Sequence, residues 1–167
     1  MLPSSRRRRA GFTLVEVMVL VLIVSVLAMV SVPAFARIQR RAKSTAIVND
    51  FRTFAAAIET YTHEKGGWPA ETAAGVCPPV MTSRVNTTAW LRQTPMGGQY
   101  NWDYNQNHLG TQITAAISIG ATASAPLPLD VNQLIDLEHV VDGANYNLTG
   151  GNFRLGTGLV PVYVIQP

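Results

Sequence analysis

Hydrophobic and polar positions alternate along this chain with three different periods. From Val17 to Ala36, twenty consecutive residues carry no charge, and Leu, Val, Ile, Met and Ala fill most of them. At about 1.5 Å per helical residue the run reaches roughly 30 Å, the thickness of a bilayer's hydrocarbon core. Beyond it the pattern becomes one-sided. Ile38, Ala42, Ala46, Ile47, Phe51, Phe54, Ala55, Ile58 and Tyr61 recur mostly three or four residues apart, while Arg40, Arg41, Lys43, Asp50, Arg52 and Glu59 supply polar positions. That spacing is the apolar stripe of an amphipathic helix, and Phe51, Phe54 and Ile58 are read as core. Gly66 and Gly67 stop the helix and Pro69 seals the stop. Pro33 is read as a kink rather than an end, because the helical pattern resumes after it. The expectation is one helix from about Phe12 to about His63. Its first half would pack against other copies and its second half against its own domain.

Residues 66–98 have no convincing period and are punctuated by Trp68-Pro69, Cys77-Pro78-Pro79 and Pro95-Met96-Gly97-Gly98, with a short helical turn at Trp90 and Leu91. Period two then appears. Gln99 to Tyr104 alternates polar and aromatic residues and predicts a half-buried strand, and Thr111 to Ile119 predicts a second, joined by a loop from Asn105 to Gly110. Val131 to Val141 reads as a short helix capped by Asp130 and closed by Asp142-Gly143. Asn152–Leu155 and Val160–Ile165 are the last strands, with a turn at Gly156–Gly158. A long helix on an antiparallel sheet of about four strands makes the fold class α+β.

Charge changes this picture at one end only. The chain is 14% charged, below the roughly 25% of soluble domains, which argues against a solvated disordered chain. The net charge of +3 includes Arg6, Arg7, Arg8 and Arg9; without them nine basic residues face ten acidic ones, a net of −1. The body is therefore not basic, and no nucleic-acid partner is indicated. Cys77 is the one cysteine, which excludes an intrachain disulfide and a multi-cysteine metal site.

An arginine run before an apolar segment fits three readings. A cleaved secretory signal would have an apolar region of about 7–15 residues and a small-residue cleavage site after it; this run is longer and has no such site. A plain membrane anchor fits the length but leaves Glu16 unexplained. The third reading is a leader cut before the apolar segment. The stretch Arg9-Ala10-Gly11-Phe12-Thr13-Leu14-Val15-Glu16 closely resembles the cleavage and methylation motif of type IV pilins and type II secretion pseudopilins, and the resemblance covers residues 6–36. It implies that a membrane peptidase cuts between Gly11 and Phe12, that Phe12 is N-methylated, and that Glu16 acts in assembly.

Elementary physics agrees with the motif. The arginines hold the N-terminus in the cytoplasm, and Gly11 lets a protease approach the backbone. Glu16 inside an apolar segment costs about 2.5–3.5 kcal/mol on insertion scales. It either snorkels to water or meets the α-ammonium of Phe12 in a neighbouring subunit, a cation that exists only after cleavage.

The organisation expected is a basic leader at 1–11, a transmembrane and assembly helix at 12–36, its amphipathic continuation at 37–63, and a periplasmic α+β head at 64–167. The segment Pro95-Met96-Gly97-Gly98-Gln99-Tyr100 is similar to the strand opening of major pseudopilins, without their usual Trp-Gly-Asn before the tyrosine. The disulfide-closed loop common in type IV pilins cannot form with Cys77 alone. The resemblance thus implies a structural, non-enzymatic subunit of a type II secretion pseudopilus. It would sit once across the bacterial cytoplasmic membrane with its N-terminus inside and its head periplasmic or extracellular. Its partners would be copies of itself, other pseudopilins, the prepilin peptidase and methyltransferase, the inner-membrane assembly platform and the membrane. A type IV pilin for adhesion, motility or DNA uptake is the first alternative. A membrane-anchored periplasmic enzyme or binding module is the second.

No clustered catalytic set supports the enzyme alternative: His63, His108 and His139 are scattered and are read as surface or turn residues. No phosphate loop follows the glycine pairs. The expectation is no cofactor. The weaker alternative is calcium, which favours oxygen ligands, at Asp136, Glu138 and Asp142 near Asn145 and Asn147; major pseudopilins often bind calcium in a late loop. Against it, Asp136 and Glu138 point to different helix faces and Asp142 makes a turn.

Overall fold

The computed structural model describes residues 12–143 and 147–167. Its contacts divide the chain into two units, Met1–Ile38 and Gln39–Pro167, and helix α1 (Leu14–Lys65, 52 residues) runs through both. The helix is continuous across Pro33, so the proline does not end it, and it extends two residues beyond the His63 expected from sequence.

In the first unit the described residues, Phe12 to Ile38, are all exposed. The two serines of this stretch do not leave open hydrogen-bonding groups. Ser25 Oγ donates to Val21 O at 2.7 Å and Ser31 Oγ to Leu27 O at 2.9 Å, so each hydroxyl is spent on its own helix, as a lipid-facing segment requires.

In the second unit α1 buries Ile47, Phe51, Phe54, Ala55 and Ile58 of the stripe read from the sequence, together with Val48, whereas Ile38 and Ala42 at the start of that stripe are exposed and Ala46 and Tyr61 are half-buried. Their partners come from a sheet of order β1-β2-β4-β3, with every neighbouring pair antiparallel. Its strands are β1 (Gln99–His108), β2 (Thr111–Gly120), β3 (Phe153–Leu155) and β4 (Pro161–Gln166). Phe51 stacks on Tyr163, with ring centroids 5.4 Å apart, and Phe54 meets Trp90 at 4.8 Å and Tyr100 at 5.1 Å. Such aromatic pairs add to the area they bury. Helix α2 (Thr87–Leu91) presents Trp90 to this cluster, and Trp90 Nε1 donates to Val76 O at 3.2 Å.

Helix α3 (Val131–Val141) starts where Asp130 accepts hydrogen bonds from the N–H groups of Asn132 and Gln133, the N-cap expected from its sequence. Leu134 and Leu137 join the core. Gln133 fixes α3 to α1 by donating to Ser44 Oγ at 2.6 Å and Arg40 O at 3.2 Å. The polar anchor on the other side is Asp50, whose Oδ2 accepts from Tyr100 Oη at 2.8 Å and Arg92 at 2.6 Å.

The hairpin β1–β2 corrects the sequence reading. Asn105–His108 does not form a loop: Gln106, Asn107 and His108 pair with Ile113, Gln112 and Thr111. Backbone pairing does not need apolar side chains, so a polar, amide-rich stretch hides a strand from a pattern search. The turn shrinks to Leu109 and Gly110, both with positive φ (51° and 86°), the requirement of a two-residue primed turn.

Candidate assembly site

The candidate site lies at the start of α1. Gly11 and the leader, residues 1–11, fall outside the described residues. Phe12 is exposed, and Thr13 and Glu16 form a reciprocal pair. Thr13 N–H and Oγ1 both donate to Glu16 Oε2, at 2.9 and 3.0 Å, and Glu16 N–H donates to Thr13 Oγ1 at 3.2 Å. This is a capping box: a threonine N-cap and a glutamate three residues on satisfy each other's orphaned amides.

The carboxylate therefore has a local task in the single chain, held one turn from Phe12. Thr13 is the residue the sequence reading passed over. Its signal was present, since Thr13-Leu14-Val15-Glu16 has the S/T-x-x-E spacing. Around this pair the helix face is apolar and open, with Leu14, Val15, Met18 and Val19 more than half exposed. Among the described residues one helix is long and apolar enough to cross a membrane, and none of its most apolar window is buried. A single apolar helix opening on one carboxylate can insert in a bilayer or pack side by side with copies, offering each a carboxylate at a fixed depth.

The three carboxylates considered for calcium are not brought together. Asp136 Oδ2 accepts Arg40 Nε–H at 3.1 Å. Glu138 is buried and its Oε1 accepts Asn147 N–H at 3.2 Å, while Oε2 has no partner among the described residues. Asp142 holds the start of β3, accepting Asn152 N–H at 3.1 Å and Phe153 N–H at 2.7 Å. Asn145 lies outside the described residues. Among the described residues no three His, Cys, Asp or Glu side chains converge on one point. Asp142 also explains Gly151, whose φ is +83° and where an added Cβ would lie 2.4 Å from Asp142 Oδ2.

The other chemistry-bearing residues are dispersed. Cys77 is buried, and burial pushes its thiol up. His63 lies in the last turn of α1 and His139 in that of α3. His108 is not the surface residue expected: its side chain is 11% exposed and faces Asp103.

Residues 6–32 match the family described as "Prokaryotic N-terminal methylation motif". The chain is 37% identical over 65 residues to "Type II secretion system core protein G" of Pseudomonas aeruginosa, a match covering 39% of this chain and 46% of that protein. It is 33% identical over 78 residues to "Fimbrial protein EcpC" of Eikenella corrodens, covering 46% and 51%. The chain thus spans about half the length of the curated relatives it matches. In fold it is similar to the major type IV pilin PilA1 of Clostridium difficile. The TM-score is 0.52 at 17% identity, over 77% of this chain and 97% of that one. The chain thus carries the N-terminal methylation motif over residues 6–32, its sequence is similar in part to a type II secretion core protein and to a fimbrial protein, and its fold is similar to that of a type IV pilin.

Proposed function

We propose that the chain is a structural subunit of a type II secretion pseudopilus, cut between Gly11 and Phe12 and N-methylated at Phe12. The observation that carries this reading is the exposed apolar helix that opens on Glu16, one turn from the expected new N-terminus. The leader arginines keep that end in the cytoplasm, so the head lies beyond the membrane. Residues 12–36 form the membrane and assembly segment, 37–63 its amphipathic continuation and 64–167 the head. Once Phe12 carries a free ammonium, the Glu16 carboxylate of a neighbouring copy meets it in a low-dielectric setting, where an unpaired charge is penalised far more than in water.

The partners are copies of the chain, related pseudopilins, the processing peptidase and methyltransferase, and a membrane assembly platform. The role is structural rather than enzymatic and calls on no cofactor. Asp136, Glu138 and Asp142 serve as acceptors within the fold. A second reading, a type IV pilus subunit, is favoured by the fimbrial relative and the pilin fold.

Deleting the chain in its host separates the two. The pseudopilus reading expects exported proteins to be lost from the medium and to accumulate in the periplasm, with surface fibres unchanged. Loss of surface fibres with export intact would overturn it in favour of the pilus.

A further inference from the structure

The outer half of the β1–β2 hairpin extends past β4. Strand β4 pairs with β2 only from Ala115 onward, and its register breaks between Ala115 and Ala116. Residues Thr111–Thr114 therefore pair along the strand only with β1, with Thr114 Oγ1 donating to Pro167 O at 2.8 Å. At the same level β1 passes through Asn105, a left-handed residue with φ of 54°. A two-stranded ribbon is marginally stable in water on its own, so something must hold this one.

The holding contact is visible. His108 Nε2 lies 3.4 Å from Asp103 Oδ2, with side chains 11% and 5% exposed. Five residues of straight strand would separate their Cα atoms by roughly 16 Å, too far for these side chains to meet. The ribbon must therefore fold back over the outer face of the sheet. Two further observations agree. Ile113, from the ribbon, packs in a cluster with Ala116, Val162 and Val164 on that face. Gly156, just after β3, leaves room for the imidazole, since an added Cβ there would lie 2.5 Å from His108 Nδ1.

The contact is buried and sparsely hydrogen-bonded. Asp103 Oδ1 accepts from Asn101 Nδ2, whereas Asp103 Oδ2 and both His108 nitrogens are buried without a hydrogen bond. Burial pushes the Asp103 carboxyl above its usual range, against the opposing pull of Ser118 and His108. Among the described residues, two other charged groups face the pair. Glu71, on the segment before β1, accepts Tyr104 N–H and is itself raised, by burial first and with Asp103 adding to it. Arg154 of β3 lines the same small cavity as His108. From β2 the neighbours are Thr111, Ile113 and Ser118, and from β4 and its approach Val160 and Val162, none of them charged.

We propose that residues 106–114 are a proton-operated flap, closed over the outer sheet face while the buried Asp103 carboxyl against His108 holds a proton and released when that carboxyl ionises. With the proton in place no carboxylate charge is buried at position 103. Without it, a lone carboxylate is left buried beside Glu71, and a buried unpaired charge is strongly unfavourable. Opening the ribbon returns it to water at the cost of the Ile113 contact. The sign follows from the raised carboxyl: closure is complete at low pH and lost as pH rises through the folded-state titration. Release uncovers Ala116, Val162 and Val164, so proton concentration outside the membrane would set how much apolar surface the head presents.

Hydrogen exchange on the full chain in detergent micelles, from about pH 5 to 8 and corrected for intrinsic exchange, tests this. The amides of Gln106–Thr114 should lose about tenfold or more in protection as pH rises, while those of α3 keep theirs. Asp103→Asn, which removes the charge and keeps the shape, should stay protected throughout. His108→Gln, which keeps a neutral polar partner, should remain protected at the acid end and lose protection as the carboxyl ionises, and the double variant should stay protected throughout. Ribbon protection independent of pH in the unaltered chain would overturn the proposal. So would an Asp103→Asn ribbon that still lost protection as pH rises.

Discussion

Phe54→Ala in the Gln39–Pro167 portion should lower stability by about 3–5 kcal/mol, a fall of roughly 10–20 °C in melting midpoint for a domain of this size. Phe54 is 1% exposed and touches both Trp90 and Tyr100. Truncation therefore removes its transfer free energy and leaves a cavity between two rigid rings that cannot collapse into it. The buried hydrophobic residues lie within Gln39–Pro167, so this portion should also be soluble and monomeric without the apolar segment. Thermal and urea melts check the first expectation and sedimentation the second. An unmeasurable shift would remove Phe54 from the core. A truncated chain that still polymerised would move assembly out of the apolar helix.

The second large effect is expected at Glu16. Val at this position removes the carboxylate and also the capping box with Thr13, so it confounds two losses. Gln separates them, because a glutamine at the third helical position still reaches back to the N-cap amide but carries no charge. Glu16→Gln should insert in the membrane at least as well as the unaltered chain and be cleaved normally, since the Gly11–Phe12 junction is untouched. Mixed with unaltered subunits, it should seldom enter filaments. Glu16→Asp, which keeps the charge with a shorter reach, should enter at an intermediate level. Tag incorporation after shearing or crosslinking reads this out. Incorporation of Glu16→Gln at the normal rate would mean that the carboxylate caps the helix and snorkels, with no assembly role.

What could be read from the sequence followed strong local signals. The stripe from Ile47 to Ile58 obeys the helical period because one face is buried against the sheet, and Asp130 caps α3 where the run begins. Strands β3 and β4 appeared within a residue or so of their observed limits, because turn residues bound them. The prepilin-like start could be read because its chemistry is contiguous, whereas the capping box within it was missed although its spacing stood in plain view.

The outer half of β1 was hidden, because Asn105, Gln106 and Asn107 carry no alternation. The Asp103–His108 contact could not be read at all. It exists only because the strand folds back, and period-two reasoning places those residues on opposite faces of one straight strand. The carboxylates of α3 show the same limit. Sequence could count Asp136, Glu138 and Asp142, but not that each would find a separate partner in Arg40, Asn147 and the start of β3.

The most direct test is the intact mass and N-terminal sequence of the protein recovered from membranes of cells that carry a prepilin peptidase. The account expects a chain that begins at Phe12 with a methyl group on its α-nitrogen, and a Gly11→Val variant that stays uncut in the membrane. A chain that retained Met1 and its leader arginines, or one that began beyond Pro33, would contradict it.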